Sequence, residues 1–383
     1  MKKKKVIFTV TNDVFADQRI NKMARTLSGM GFDVVLVGVK RKNSPPFNPV
    51  YADVLRIPVL WQKGFMFYAS YNIQLFFFLL FRKFDILVAN DLDTLLPGHL
   101  VARLHRKPLV YDTHEYFTGT PEVISRPKVY KVWKWLENKL FPRQQTIITV
   151  NRSIAGLYEK EYNKQLYVVR NVPPYHEARS KKTRHELGIP ENKRIIIMQG
   201  TGINTGRGAE ELIAAMQPTY GLENTLLLMI GGGNAIELIK RQAQDLGIMD
   251  RVLFLPRMPW TDLFEYTIHA DIGLSLDRDH GLNYRFSLPN KLFDYIMAGT
   301  PVLVSDLPEV SNIVDTYNVG RKIESHDPSH IAGCIKEMLH DQQQLDRWKE
   351  NCLQAAKELC WEQEEERPRW PVCIFVRAKE RFW

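Results

Sequence analysis

Two cations in this chain stand where a helix dipole would disfavour them, and each has neighbours suited to a phosphorylated ligand. Ser287 to Val302 reads SLPNKLFDYIMAGTPV. Its signals bracket a helix, with Ser287 at the N-cap position, Pro289 in the first turn, Gly299 past the end and Pro301 behind it. Lys291 then lies near the positive end of the dipole, at a cost of roughly 0.3–1 kcal/mol that a bound phosphate would reverse. Asp294 follows three residues later and projects from the same face. A cation for a diphosphate and a carboxylate for a ribose diol, one turn apart, are what a nucleotide-sugar site needs. A surface Lys–Asp pair on an ordinary helix would be written the same way. The second cation is Arg207, in the glycine-rich stretch GTGINTGRG from Gly200 to Gly208. Gly200, Gly202 and Gly206 let backbone amides approach an anion, and Arg207 stands at the start of the helix GAEELIAAM. Two such loops in one half of the chain say more than either alone. Gly231 to Gly233 is a third loop of the kind and, by itself, only a tight turn.

In the other half the candidates are Asp91, Asp93 and His114. Asn90-Asp91-Leu92-Asp93 ends an expected strand and opens a helix. The DxD spacing is a metal-binding signature in one class of sugar transferases, but Asp at a helix start needs no metal. Tyr111-Asp112-Thr113-His114-Glu115 lies at the carboxyl end of a strand, where open α/β sheets keep their sites. His114 there could bond a sugar hydroxyl or a phosphate oxygen, or hold structure.

The elements that must position these residues follow an alternating pattern. Apolar strands are expected at Val6–Val10, Val34–Val39, Ile86–Ala89, Leu109–Asp112 and Ile147–Val150. After the first, Asp17 caps a helix with Ile20, Met23, Ala24 and Leu27 on one face and Gly31 beyond its end. The intervening turn, TNDVFADQR, holds no glycine, which argues against a dinucleotide fingerprint. A second series is expected at Ile195–Gln199, Leu226–Ile230, Val252–Leu255, Ile272–Leu276 and Val302–Ser305. Strands alternating with helices imply parallel sheets covered on their faces. Residues 173–192 carry Pro173, Pro174, Pro190 and a run of charges, and are expected to link a domain at 1–172 to one at 193–361.

At 383 residues, 45% hydrophobic and 25% charged, the chain has the composition of a two-domain globular protein. Its four cysteines fit no zinc spacing and suggest a reducing compartment. No signal peptide is expected after Lys2–Lys5, so the expected location is cytoplasmic. Residues 1–175 hold 27 Lys and Arg against 13 Asp and Glu, a net of +14, while the remainder holds 25 against 30, a net of −5. No nucleic-acid motif accompanies the basic half, which leaves an anionic membrane surface or a phosphate-bearing acceptor as its partner. The apolar run Phe65 to Phe81 is short for a bilayer span and reads as a buried or half-buried helix, with an interfacial helix as the other reading. Ile124 to Phe141 interleaves Lys128, Lys131, Lys134 and Lys139 with Tyr130, Trp133 and Trp135, which suits a membrane interface or a surface helix with Trp packed inward.

At these residues the chain resembles the retaining glycosyltransferases of family four. They have the GT-B fold, an α/β architecture of two Rossmann-like domains with parallel sheets facing across a cleft. The resemblance runs to about Trp361. It is carried by Asp17, Arg19 and the helix after them, DTHE at Asp112–Glu115, VVRN at Val168–Asn171, GRG at Gly206–Gly208, HADIGL at His269–Leu274 and, most specifically, PNKLFDYIMAGTPV from Pro289. It implies metal-independent transfer of a sugar from a nucleotide-diphosphate donor, with no cofactor, to a glycan or lipid-linked acceptor in polysaccharide synthesis. By motif position Arg207 and Lys291 would hold the diphosphate, Asp294 the ribose, and His114 would face the donor sugar. Gly200, Gly202, Gly206, Ser287 and Asn290 would complete the donor side, and Asp13, Asp17, Arg19 and Asp91 would lie on the acceptor side. A nucleotide-sugar 2-epimerase of the same fold and a non-catalytic two-lobed binding protein are the alternatives.

There are departures. The family often shows two glutamates eight apart; Asp294 takes the second place and Phe286 the first. The tail from Arg367 carries Pro368 and Pro371 where such chains continue a helix.

Overall fold

The structure is a computed structural model and describes residues 3–366, so the tail from Arg367 lies outside the described residues. The chain divides into two compact units. One is Met1–Asn171 joined by the segment from Glu364, and the other is Val172–Gln363.

The first unit is built on strands β1 (Lys5–Thr9), β2 (Asp33–Lys40), β3 (Asp53–Pro58), β4 (Ile86–Asn90), β5 (Leu109–Thr113), β6 (Thr146–Thr149) and β7 (Tyr167–Val168). They form one sheet in the order β3-β2-β1-β4-β5-β6-β7, with every pairing parallel. The central strands are buried on both faces, as a doubly covered parallel sheet requires. The helix Gln18–Gly29 forms as its sequence dictates: the Asp17 carboxylate accepts from the Ile20 amide at 3.2 Å, and Ile20, Met23, Ala24 and Leu27 are buried. The apolar run folds as the helix Phe65–Leu80, which buries Phe67, Tyr71, Leu75 and Leu79 in one core with β2 and β4. No described helix is long and apolar enough to cross a membrane.

The second unit contains β8 (Arg194–Gly200), β9 (Thr225–Gly231), β10 (Val252–Leu255), β11 (Ile272–Ser275), β12 (Val302–Ser305) and β13 (Gly320–Ile323). Their order is β10-β9-β8-β11-β12-β13, again all parallel. In each sheet the winding direction reverses once, between β1 and β4 and between β8 and β11. Crevices at the carboxyl ends of strands flanking such a reversal are where open α/β sheets bind ligands.

Three strands were not expected from the pattern. β3 and β13 are edge strands whose spelling, DVLRIP and GRKI, dilutes the apolar signal with charge, and β7 has two residues. The stretch 173–192, expected as a linker, packs on the second unit. Leu187 and Ile189 are buried, and Glu265 accepts from the Ser180 hydroxyl at 2.7 Å and the Lys181 amide at 2.9 Å.

Candidate functional site

The residues expected on the donor side meet at the reversal between β8 and β11. The loop after β8 returns through Gly208, whose φ of +77° and position leave no room for a side chain, since a Cβ would stand 2.2 Å from the Leu276 carbonyl oxygen. That contact lays the start of the helix Ala209–Ala215 directly against the chain leaving β11. Gly200 and Gly231 pack backbone to backbone, with a Gly231 Cβ placed 1.8 Å from the Gly200 oxygen. Gly206 has φ +81° and lies against the His280 ring, whereas a Cβ at Gly202 would make only an ordinary contact, 3.7 Å from the Asn204 side-chain nitrogen.

Ser287 is not the N-cap it was expected to be. The helix runs Asn290–Met297, and Pro289 holds the cap position without a side-chain bond. Leu288 precedes a proline and is pushed toward extended backbone, so the helix cannot begin earlier. The Ser287 amide instead donates to Tyr284 O at 3.1 Å, closing the short helix Leu282–Arg285. Lys291 is therefore the second helical residue, and Asp294 lies one turn on. The expected C-terminal signal holds: Gly299 has φ +69° and the Thr300 amide donates to Tyr295 O at 2.9 Å.

Arg207 and Lys291 converge on a residue that sequence reasoning missed, Asp277. Arg207 Nη1 lies 3.3 Å from Asp277 Oδ1, and Lys291 Nζ lies 3.4 Å from Oδ2. Asp277 is 2% exposed, while the side chains of Arg207 and Lys291 keep 31% and 12%. The Arg207 guanidinium also stands over the Tyr284 ring at 4.8 Å. Asp294 Oδ1 accepts from the Trp260 indole at 2.9 Å, and Oδ2 faces Gln199 Nε2 at 3.5 Å. Trp260 stacks on Phe264 at 4.8 Å, which fixes the plane of the indole. The group therefore holds two partly exposed cations 3–4 Å from one buried carboxylate, with a second, indole-held carboxylate one helical turn away. Asp277 could have been suspected only from its place two residues past an apolar strand.

In the first unit a second cluster forms at the carboxyl ends of β1, β4 and β5. Arg19 is buried and holds Asp112 through two bonds, of 2.9 and 2.8 Å, while donating to Val169 O at 2.7 Å. His114 Nε2 lies 3.4 Å from Asp112, and Nδ1 lies 3.3 Å from Asp91. The Asp91 carboxylate also accepts from the His114 amide at 2.8 Å, and Asp91 takes φ +59°, a conformation a non-glycine residue adopts only under constraint. Burial opposes a charged imidazole, but Asp91 and then Asp112 outweigh it and raise the His114 pKa to about 10. Burial would likewise raise Asp112; Arg19, then His114, hold it well below the usual carboxylate range. Asp93 accepts from the Thr11 hydroxyl at 2.6 Å, and burial followed by the Asp91 charge pushes its pKa up to about 8. Asp17 serves as the N-cap described above. Asp13 stands apart, in a turn, paired with Arg56 at 3.0 Å.

The Lys/Trp helix, Pro127–Leu140, splits its aromatics. Trp133 packs inward against Tyr68 and Phe117, while Trp135 is 60% exposed. Lys134, expected among the surface lysines, is instead an internal ion-pair residue held by Glu137 at 2.7 Å and by Glu161.

The fold and this arrangement define a GT-B type protein. Residues 17–172 match Glycosyltransferase Family 4, and residues 179–354 match Glycosyl transferases group 1. The chain belongs to the family-four glycosyltransferases. It is 26% identical over 209 residues to a D-inositol 3-phosphate glycosyltransferase of Acidothermus cellulolyticus, a match covering 50% of this chain and 44% of that one. The matched region thus spans less than half the length of that relative. In fold it is similar to sucrose-phosphate synthase of Thermosynechococcus elongatus, with TM-score 0.77 at 15% identity over 99% and 98% of the two chains. It is also similar to an Anabaena protein, HepE, solved with UDP and glucose, with TM-score 0.69 at 14% identity over 99% of each.

Proposed function

We propose that the chain transfers a sugar from a nucleotide-diphosphate donor to a glycan or lipid-linked acceptor, with retained anomeric configuration. The observation that carries this reading is the convergence of Arg207 and Lys291 within one turn of Asp294. As the bond from the sugar C1 to the phosphate oxygen breaks, negative charge gathers on the leaving diphosphate. Preorganised cations stabilise charge that develops in a transition state, and they supply what a divalent metal would bring. The acceptor hydroxyl oxygen bonds to C1, and its proton passes to the leaving phosphate. Asp294 holds the ribose hydroxyls. His114, charged and fixed between two carboxylates, is a positioned cation for the donor sugar. That the Anabaena neighbour was solved with UDP supports a nucleotide-sugar donor.

An anionic membrane is the surface we infer for the basic half. Along the helices Phe65–Leu80, Leu92–His105 and Pro127–Leu140, which pack side by side, Ile73, Phe77, Leu104 and Trp135 are exposed, with Lys128 and Lys131 among them. Cations near an anionic leaflet gain about 1 kcal/mol each. On this reading catalysis takes place at the inner face of the cell membrane, in cell-surface polysaccharide synthesis.

The test is a thermal-shift screen over nucleoside diphosphates, followed by labelled-sugar turnover with and without acceptor. Transfer that requires acceptor supports the reading. Epimerised nucleotide sugar formed without acceptor would replace it with the epimerase, and binding with no turnover would replace it with a binding protein.

A further inference from the structure

A pocket of about 380 Å³ opens at the amino-terminal ends of β5 and β6, the opposite end of the sheet from His114. Arg103, Arg106 and Lys107 reach it from the end of the helix Leu92–His105, and Arg143 from the turn before β6. No Asp or Glu is among the residues lining it. Lys107 has a carboxylate partner, Asp85, at 3.2 Å. Arg103, Arg106 and Arg143 form no ion pair among the described residues, and Arg143 donates only to Lys139 O. His99 lies in the pocket wall, and its pKa is lowered chiefly by burial and then by Arg143, with the Gln144 bond opposing the fall and Arg103 adding to it.

Three guanidinium groups around one cavity repel one another; all three are exposed, so solvent screens much of this, and no carboxylate in the wall offsets what remains. An anion would. The planar fork of arginine matches phosphate oxygens in pairs, so phosphate is the anion this wall suits best. The volume admits a phosphate with a glycerol- or sugar-sized substituent, too small for a folded partner. Leu100 and Leu104, on the same helix as Arg103 and one turn or less from it, are 43% and 63% exposed, which puts apolar surface beside the mouth. β5 separates the pocket from His114 by five residues, roughly 16 Å at strand spacing, so this is not the seat of sugar transfer.

We propose that this pocket binds a phosphate group, carried by an anionic lipid headgroup or by a soluble phosphomonoester. It rests on the membrane reading above only for the first of these sources. The test uses the full chain in two arms. One is calorimetric titration with glycerol 3-phosphate. The other is co-sedimentation with vesicles of phosphatidylglycerol mixed with phosphatidylcholine, against phosphatidylcholine alone. Wild type is compared with Arg103→Glu/Arg143→Glu, with the milder Arg103→Gln/Arg143→Gln, with Lys128→Glu/Lys131→Glu as a charge control, and with Lys291→Ala to silence the donor site. Expected is binding in at least one arm that falls tenfold or more in both arginine pairs, falls less in the lysine control, and persists in Lys291→Ala. Loss confined to vesicles assigns the lipid source; loss confined to glycerol 3-phosphate assigns the soluble one, the pocket stands, and the membrane reading is then decided by whether wild type binds the anionic vesicles at all. No binding in either arm, or a loss no larger than in the lysine control, overturns the proposal.

Discussion

Replacing Asp277 by Asn keeps the shape of the side chain and removes its charge. In the empty site that charge is the shared partner of Arg207 and Lys291, at 3.3 and 3.4 Å. A diphosphate reaching both cations would stand on the order of 6 Å from the carboxylate, about two ion-pair lengths. At an effective dielectric of about 20 the repulsion per pair of unit charges is about 3 kcal/mol; Arg207 is partly exposed, and screening brings this nearer ~1–2 kcal/mol. On the proposed function, wild type would bind the leaving nucleotide against its own counter-ion. Asp277→Asn should bind nucleoside diphosphate tighter by roughly tenfold, at ~1.4 kcal/mol per decade, and bind the nucleoside unchanged. The empty variant should melt lower, because two cations have lost their partner, and gain more on adding ligand. Calorimetric titration with UDP, GDP and ADP, with the matching nucleosides as controls, reads both effects. A folded variant that binds the diphosphate no tighter than wild type would refute the reasoning, whereas a wild type that binds none of them would remove the diphosphate reading itself.

Lys291→Ala and Arg207→Ala should each lower kcat/KM by an amount equivalent to about 2–4 kcal/mol, with the double variant falling short of the sum because the two act on one charge; steady-state kinetics with the true donor checks this. If the cations supply the charge, as proposed, EDTA should leave turnover largely intact; loss on EDTA with recovery on Mg²⁺ or Mn²⁺ would point to Asp91 and Asp93 instead. The raised pKa values make stability fall as pH rises, in two windows. Asp93 binds its proton more tightly folded than unfolded, so its contribution is lost from about 4 toward 8, and that of His114 from about 6.5 toward 10. Melting curves across pH should lose the first slope in Asp93→Asn and the second in His114→Gln, and His114→Gln should also lower turnover more than nucleotide affinity.

What was legible in the sequence was mostly local or periodic. The cap at Asp17, the apolar stripe behind it and the stop at Gly299 depend on residues within a turn or two, and each stands as written. Nine of the ten expected strands are interior and were legible because burial on both faces leaves an apolar run; the edge strand β10 keeps such a run in VLFL, whereas the edge strands β3 and β13 dilute theirs with charge. Misplacing the start of the Asn290–Met297 helix came from weighing the Ser287 side chain above the constraint that Pro289 puts on Leu288. Lys134 reads as one lysine of an exposed row because its second partner, Glu161, lies on another helix.

Asp277 shows where such reasoning stops. In the sequence alone, a cation set against a helix dipole signals a missing anion. Here an anion is already present, supplied 70 residues from Arg207 by the turn after β11, and no pattern in either loop announces it. If the carboxylate satisfied both cations, the three residues would be an ordinary structural triad. They are not satisfied. Two positive charges face one negative charge, both cations keep exposed surface while the carboxylate has almost none, and Arg207 Nε has no hydrogen-bond partner. A triad evolved only to hold the fold gains nothing from an excess charge turned outward, since leaving a buried donor unmade costs about 1–3 kcal/mol. The buried carboxylate fixes where the cations point, and on the proposed function the residual positive charge marks the side from which the diphosphate would come.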